Sequence, residues 1–169
     1  MEIFYINIKE FINKYGTGLF AHKAGCDKYK IEHSIGRFLV KSTAEKIYGI
    51  NDTEIVLNNK KPEFKDKKIE FSITHSKDYV MAAFDQNPCG LDLEFMADKD
   101  LNKFAARYGK KFDTKEDFYK FWTQKEAVIK LQSTPKYIFT QVFKDCYTLS
   151  AASSCEFLKP VCRDFLEII

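Results

Sequence analysis

The chain has 169 residues, 45% of them hydrophobic and 15% aromatic, with 16 Phe and 9 Tyr. That composition supplies one real core, or two small subdomains sharing one, and excludes a disordered chain. A formal net charge of +3 is too balanced for a dedicated nucleic-acid surface, and no apolar run approaches the ~20 residues of a membrane span.

The opening EIFYINI at 2–8 reads as a strand, and residues 16–30, with Gly16, Gly18 and Gly25, as a loop or short helices. From Ile31 to Tyr48 the pattern is helical. Ile35, Phe38, Leu39 and Ile47 recur on one side, and Gly49 follows as a stop. Lys23, Lys28, Lys30, Arg37 and Lys41 gather in and just before this helix. Residues 51–68 are polar, lysine-rich and interrupted by Pro62, which predicts a loop. IEFSITH at 69–75, YVMAAFD at 79–85 and CGLDLE at 89–94 are three short strands with brief links, and they predict an antiparallel meander. A helix is expected over 97–108. Thr114, with Asp117 three residues on, caps another that runs to Leu131, and strands follow near 137–143 and 146–152.

Cys26, Cys89, Cys146, Cys155 and Cys162 form no CxxC pair and are odd in number, which fits reduced thiols. With only three scattered His residues, a zinc site is not expected. MEIFYINIKEF has no basic stretch leading into a long apolar one, so the expected location is the cytoplasm.

Two stretches carry chemistry. In GLDLE, Asp92 and Glu94 share one face of a strand while Leu91 and Leu93 share the other. Adjacent carboxylates repel unless a cation or donor compensates. In FYKFWTQKEAVIKL at 118–131, Phe118, Phe121, Trp122 and Ile129 define an apolar stripe, and Glu126 falls on or beside it, with Lys130 one turn further and Lys125 flanking. Glu126 and Lys130 alone could be an ordinary surface pair worth roughly 0.2–0.5 kcal/mol. Taken with Asp92 and Glu94, a third carboxylate suits a hard divalent ion such as Mg2+ and, through it, phosphate chemistry. His75, at the end of FSITHS, is a plausible phosphate ligand beside such a cluster, although a lone His at a strand end is more often structural.

In this order the stretches resemble the 4'-phosphopantetheinyl transferases of the surfactin-synthetase-activating type, here as a compact member. FSITHS is similar to the family's strand ending in Ser-His-Ser, GLDLE to its Gly-Val/Ile-Asp-x-Glu strand, and WTQKEAVIK at 122–130 to its Trp-x-x-Lys-Glu-Ala-x-x-Lys helix. KIEHSIGRFLVKSTAEKIYG at 30–49 resembles the preceding basic helix, and NKKP at 59–62 the Gly-Lys-Pro turn. The resemblance spans about residues 28–152.

It implies transfer of the 4'-phosphopantetheine arm from coenzyme A to a serine of an apo acyl or peptidyl carrier protein, with release of adenosine 3',5'-bisphosphate. It implies Mg2+ on Asp92, Glu94 and Glu126, His75 on a coenzyme A phosphate, and Lys28, Lys30, Arg37 and Lys61 near the 3'-phosphate. Lys125 and Lys130 would face the pyrophosphate, and either Glu126 or a metal-bound water would take the serine proton. Trp122 would be a core residue shaping the site. The implied fold is α+β, with two pseudo-symmetric halves, 1–88 and 89–169, each a helix packed on a small antiparallel sheet. The implied assembly is a monomer that binds neither nucleic acid nor membrane. A Mg2+-dependent phosphoester hydrolase and a non-catalytic carrier-binding relative are the alternatives.

Overall fold

A computed structural model describes residues 1–16, 28–156 and 159–169, with the side chains of residues 28–30 also outside the described set. The fold is α+β. Strand β1 (Glu2–Asn7) leads into α1 (Ile8–Tyr15), whose Asn7 cap accepts from the N–H groups of Lys9 and Glu10. Helix α2 (Lys28–Tyr48) follows, then β2 (Ile55–Asn58), β3 (Lys61–Phe64), β4 (Glu70–Ser76), β5 (Tyr79–Asp85) and β6 (Cys89–Phe95). Helices α3 (Leu101–Tyr108) and α4 (Lys115–Leu131) precede β7 (Tyr137–Phe143), β8 (Tyr147–Ser153) and β9 (Val161–Asp164). Among the described residues no helix is long and apolar enough to cross a membrane.

The strands form a sheet of order β4-β5-β1-β9, a second of order β6-β8-β7, and the β2–β3 hairpin. One core lies between the first sheet and helices α1 and α2, built from Phe4, Phe11, Ile35, Leu39, Phe71 and Phe84 among others. A second fills the space between the two sheets, where Ile3, Met81 and Ala83 meet Leu91, Leu93 and Leu149. Helix α4 covers the far side of the second sheet through Ala127 and Leu131 on Ala152. Strand β9 pairs parallel to β1, so the end of the chain completes the sheet that its beginning opens.

Four expectations need correction. The polar stretch 51–68 contains the β2–β3 hairpin: Asn59 and Lys60 both take positive φ, as a tight primed turn requires, and buried Phe64 anchors the second strand. The expected meander breaks after β5. Strand β4 pairs antiparallel with β5, but β6 leaves to pair with β8. Ile47, assigned to the apolar face of α2, is 39% exposed. On α4 the buried stripe is Phe118, Tyr119, Thr123, Ala127 and Leu131, whereas Ile129 is 56% exposed.

That last shift has a cause in β6. A Cβ on Gly90 would stand 2.0 Å from the Ala127 carbonyl oxygen and 2.6 Å from the Leu131 nitrogen. The helix backbone rests directly on the strand there, so only small side chains fit beneath it. The Thr114–Asp117 capping box is present as expected and fixes the start of the helix.

Candidate functional site

Strand β6 is bonded on both edges, and by different means. On one side it pairs antiparallel with β8. On the other it runs alongside β4, whose side-chain hydroxyls take the place of carbonyls. The N–H groups of Leu91, Leu93 and Phe95 donate to Ser72 Oγ at 3.0 Å, Thr74 Oγ1 at 3.1 Å and Ser76 Oγ at 2.9 Å. The alternating hydroxyls of FSITHS are therefore a seam between the two sheets.

Asp92 and Glu94 project from β6 toward α4. Asp92 is buried, and its Oδ1 accepts from Lys130 Nζ at 2.7 Å and from Thr74 Oγ1 at 3.4 Å. Its Oδ2 is buried without a hydrogen-bond partner among the described residues. Burial pushes the Asp92 carboxyl up to about 6; Lys130 pulls it down, and the neighbouring Glu94 and Glu126 push it up again. Glu94 accepts from Trp122 Nε1 at 3.2 Å and from Ser76 Oγ at 3.5 Å. Trp122, expected as a core residue, is half-buried and offers its indole N–H to an acid.

Trp122, Glu126 and Lys130 are spaced one helical turn apart and line the edge of α4 that faces β6. Glu126 is half-buried and makes no hydrogen bond or ion pair among the described residues. The structure thus brings Asp92, Glu94, Glu126 and Lys130 to one strand–helix junction. The carboxylates do not converge fully: among the described residues no three His, Cys, Asp or Glu side chains surround a common metal-sized space. The donor set still suits a hard divalent ion. It offers carboxylate oxygens, one of them an orphaned buried acceptor and others on the uncommitted Glu126.

His75 stands at the near end of this junction, 37% exposed at its side chain, with Nδ1 3.2 Å from Oε2 of buried Glu32 on α2. Burial lowers the His75 pKa, Glu32 opposes that shift, and nearby Lys130 and His33 add to it. With Nδ1–H directed at Glu32, a phosphate contact through Nε2 requires the imidazolium.

The basic residues are less concentrated. Lys61 is almost buried and is tied to Glu70 Oε2 at 3.5 Å and the Cys89 carbonyl at 3.1 Å. Lys125 is exposed and lies over the Tyr108 ring at 4.5 Å, and Arg37 is exposed on α2. Lys28 and Lys30 lie outside the residues whose side chains are described. A cleft of about 300 Å³ opens beside Lys130, walled by Lys60, Lys61, Pro62, Ile73, Ile129 and Gln132. Gln132 closes one end by donating to the Asn59 carbonyl at 2.9 Å. Sequence reasoning gave no part to Thr74, Glu32 or Gln132. Only the alternation of hydroxyls in FSITHS signals the first of them.

The fold and site define an α+β protein in which a carboxylate strand faces a Trp–Glu–Lys helix beside an open cleft, and the relatives of the chain agree with its motifs. It is 32% identical over 110 residues to 4'-phosphopantetheinyl transferase ffp of Bacillus subtilis, covering 57% of this chain and 49% of that protein. It is 26% identical over 116 residues to 4'-phosphopantetheinyl transferase gsp of Aneurinibacillus migulanus, covering 62% and 49%. A further 4'-phosphopantetheinyl transferase of Bacillus subtilis matches at 28% over 112 residues, covering 57% and 49%. The chain is thus similar in sequence to three 4'-phosphopantetheinyl transferases, and it spans about half the length of the curated relatives it matches. No family model matches it.

Proposed function

We propose that the chain transfers the 4'-phosphopantetheine group of coenzyme A to a serine hydroxyl of an apo acyl or peptidyl carrier protein. The observation that carries this reading is the Asp92–Lys130 pair, flanked by Glu94 and Glu126 and opening on the cleft. A pyrophosphate diester offers two acidic phosphates that need cations on one side and hydrogen-bond donors on the other. Asp92, Glu94 and Glu126 would hold Mg2+, and the ion would neutralise charge on the phosphate oxygens.

The chain's own residues do the rest. Lys130, about one-third exposed, presents its ammonium between Asp92 and the cleft, where it meets charge developing on the bridging oxygen. Glu126, which makes no hydrogen bond or ion pair among the described residues, is suited to receive the proton of the acceptor serine through a carboxylate oxygen not given to Mg2+. The serine oxygen then bonds to the β-phosphorus, the pyrophosphate link breaks, and adenosine 3',5'-bisphosphate leaves with its electron pair. Lys61, Lys60 and protonated His75 would answer the negative charge farther along coenzyme A, together with Arg37, Lys28 and Lys30. Lys125 would stand at the rim of the pyrophosphate end. The division into pseudo-symmetric halves at 88/89 belongs to the same proposal, supported by helices packed on each sheet, α1 and α2 on the first and α4 on the second, although β9 of the second half completes the first sheet.

The test is release of adenosine 3',5'-bisphosphate from coenzyme A, followed by chromatography, with an apo carrier protein and with the same carrier bearing Ala at its acceptor serine. Release that requires the serine supports transfer. Release that is equal with both carriers points to the hydrolase alternative, and no release with any carrier points to a binding relative.

A further inference from the structure

The β4 seam treats its three hydroxyls unequally. Ser72, Thr74 and Ser76 each accept one N–H from β6, from Leu91, Leu93 and Phe95 in turn. In each case the residue just before the donor on β6 is on the face toward α4: Gly90, Asp92 and Glu94. A hydroxyl has one proton, and once its oxygen accepts an N–H that proton is free to point elsewhere. For Thr74 it is directed at Asp92 Oδ1, 3.4 Å away, and for Ser76 at Glu94 Oε2, 3.5 Å away. For Ser72 the corresponding residue is Gly90, which has no side chain to receive it. The same device occurs three times, and twice it ends on an acid.

We propose that Thr74 and Ser76 are positioning residues for the Asp92 and Glu94 carboxylates, fixing from the β4 side the orientation that each presents to a divalent cation. This rests on the reading of those acids given above. Asp92 fits the pattern most closely. Both of its contacts, from Thr74 and Lys130, fall on Oδ1, and Oδ2 is the atom left buried and unpaired. Glu94 is held at both oxygens, by Trp122 on Oε1 and Ser76 on Oε2. Hydrogen bonds from outside a metal's own ligand set orient those ligands, and losing one typically weakens binding by roughly 10–100-fold. The contacts here are long, so the effect belongs at the lower end of that range.

Ser72 supplies an internal control, because Ser72→Ala removes a seam bond of the same kind without touching an acid. The experiment is calorimetric titration of the full chain with Mn2+ alone, without coenzyme A or carrier. The variants are Ser72→Ala, Ser76→Ala, Thr74→Val, Thr74→Ser and Asp92→Ala, each with its thermal midpoint measured alongside. The expected result is Mn2+ binding roughly tenfold weaker in Thr74→Val and Ser76→Ala, unchanged in Ser72→Ala, and restored in Thr74→Ser. All three seam losses should lower the midpoint by similar amounts.

Equal Mn2+ affinity in Thr74→Val, Ser76→Ala and Ser72→Ala would overturn the proposal and leave the seam purely structural. If wild type and Asp92→Ala bind Mn2+ equally, or neither binds it, the assignment of the acids fails first and the proposal fails with it. If Thr74→Val is unfolded, Thr74→Ser and Ser76→Ala still decide the matter against Ser72→Ala.

Discussion

At the β6–α4 junction most side-chain polar atoms have a neighbour among the described residues, while Asp92 Oδ2 and the Glu126 carboxylate have none there. The basic side chains outside that junction are arranged more loosely. Lys61 is committed to Glu70 and the Cys89 carbonyl, but Lys60 on the hairpin, Arg37 on α2 and Lys125 on α4 stand at the surface. The first region is pre-organised and carries a cost, since it keeps a carboxylate out of water. The second is assembled from long side chains that lose rotamer freedom only when an anion arrives. Under the proposed function, the first region would fix the reacting phosphates tightly and the second would hold the rest of coenzyme A loosely.

Several changes would break or sharpen that contrast. The largest effect is expected at Gly90. Adding a Cβ drives it into backbone atoms of Ala127 and Leu131, which cannot rotate away. Gly90→Ala should cost more than about 3 kcal/mol in denaturant unfolding. A loss under about 1 kcal/mol would mean that α4 is not seated on β6 as described.

Lys130→Ala comes next. It strips the buried Asp92 of its cation and should reduce turnover by roughly a hundredfold or more, with less than about tenfold change in coenzyme A affinity. Steady-state kinetics beside direct binding would separate the two. Equal losses in both would make Lys130 a simple binding group.

Asp92→Asn should act on stability in the opposite sense. A carboxyl raised to about 6 in the fold from 3.8 contributes fully below pH 4, and that contribution is lost as pH rises through 6. Above pH 7 the neutral amide should therefore be more stable than wild type, on the order of 3 kcal/mol. The advantage should vanish toward pH 4. A pH series of unfolding midpoints for both proteins would record it, and a constant difference across the series would contradict the burial cost.

The smallest effects belong to the other region. Lys61→Ala should cost about 1 kcal/mol by loosening β3 from β4 and β6. Lys125→Ala should leave stability within about 0.5 kcal/mol, as for an exposed position. Thermal unfolding of the pair checks both, and a Lys125 cost above that of Lys61 would reverse the proposed contrast.

What the sequence made legible follows the range of the forces involved. The Asp92–Glu94 face depends on strand periodicity, and the Glu126–Lys130 spacing depends on one helical turn; both are local and both are present. The buried stripe of α4 was not legible, because hydrophobicity favours Ile129 over Thr123 and Ala127. The choice is made by the contact at Gly90, which admits only small residues and lies outside the helix. The departure of β6 from β5 was hidden for a similar reason. Its partners are β8, more than fifty residues later, and a row of hydroxyls on β4 that reads locally as an ordinary polar alternation. Glu32 reads as one more acid on a helix until His75 is brought beside it.

The most direct test of the central claim uses Asp92→Asn, because it should fold at least as well as wild type while losing a carboxylate proposed to hold Mg2+. Each protein would be incubated with coenzyme A, Mg2+ and an apo carrier protein, and the intact carrier mass followed over time. The account predicts a phosphopantetheine mass gain with wild type that EDTA abolishes, and none with the folded variant. A mass gain by Asp92→Asn at the wild-type rate would contradict it.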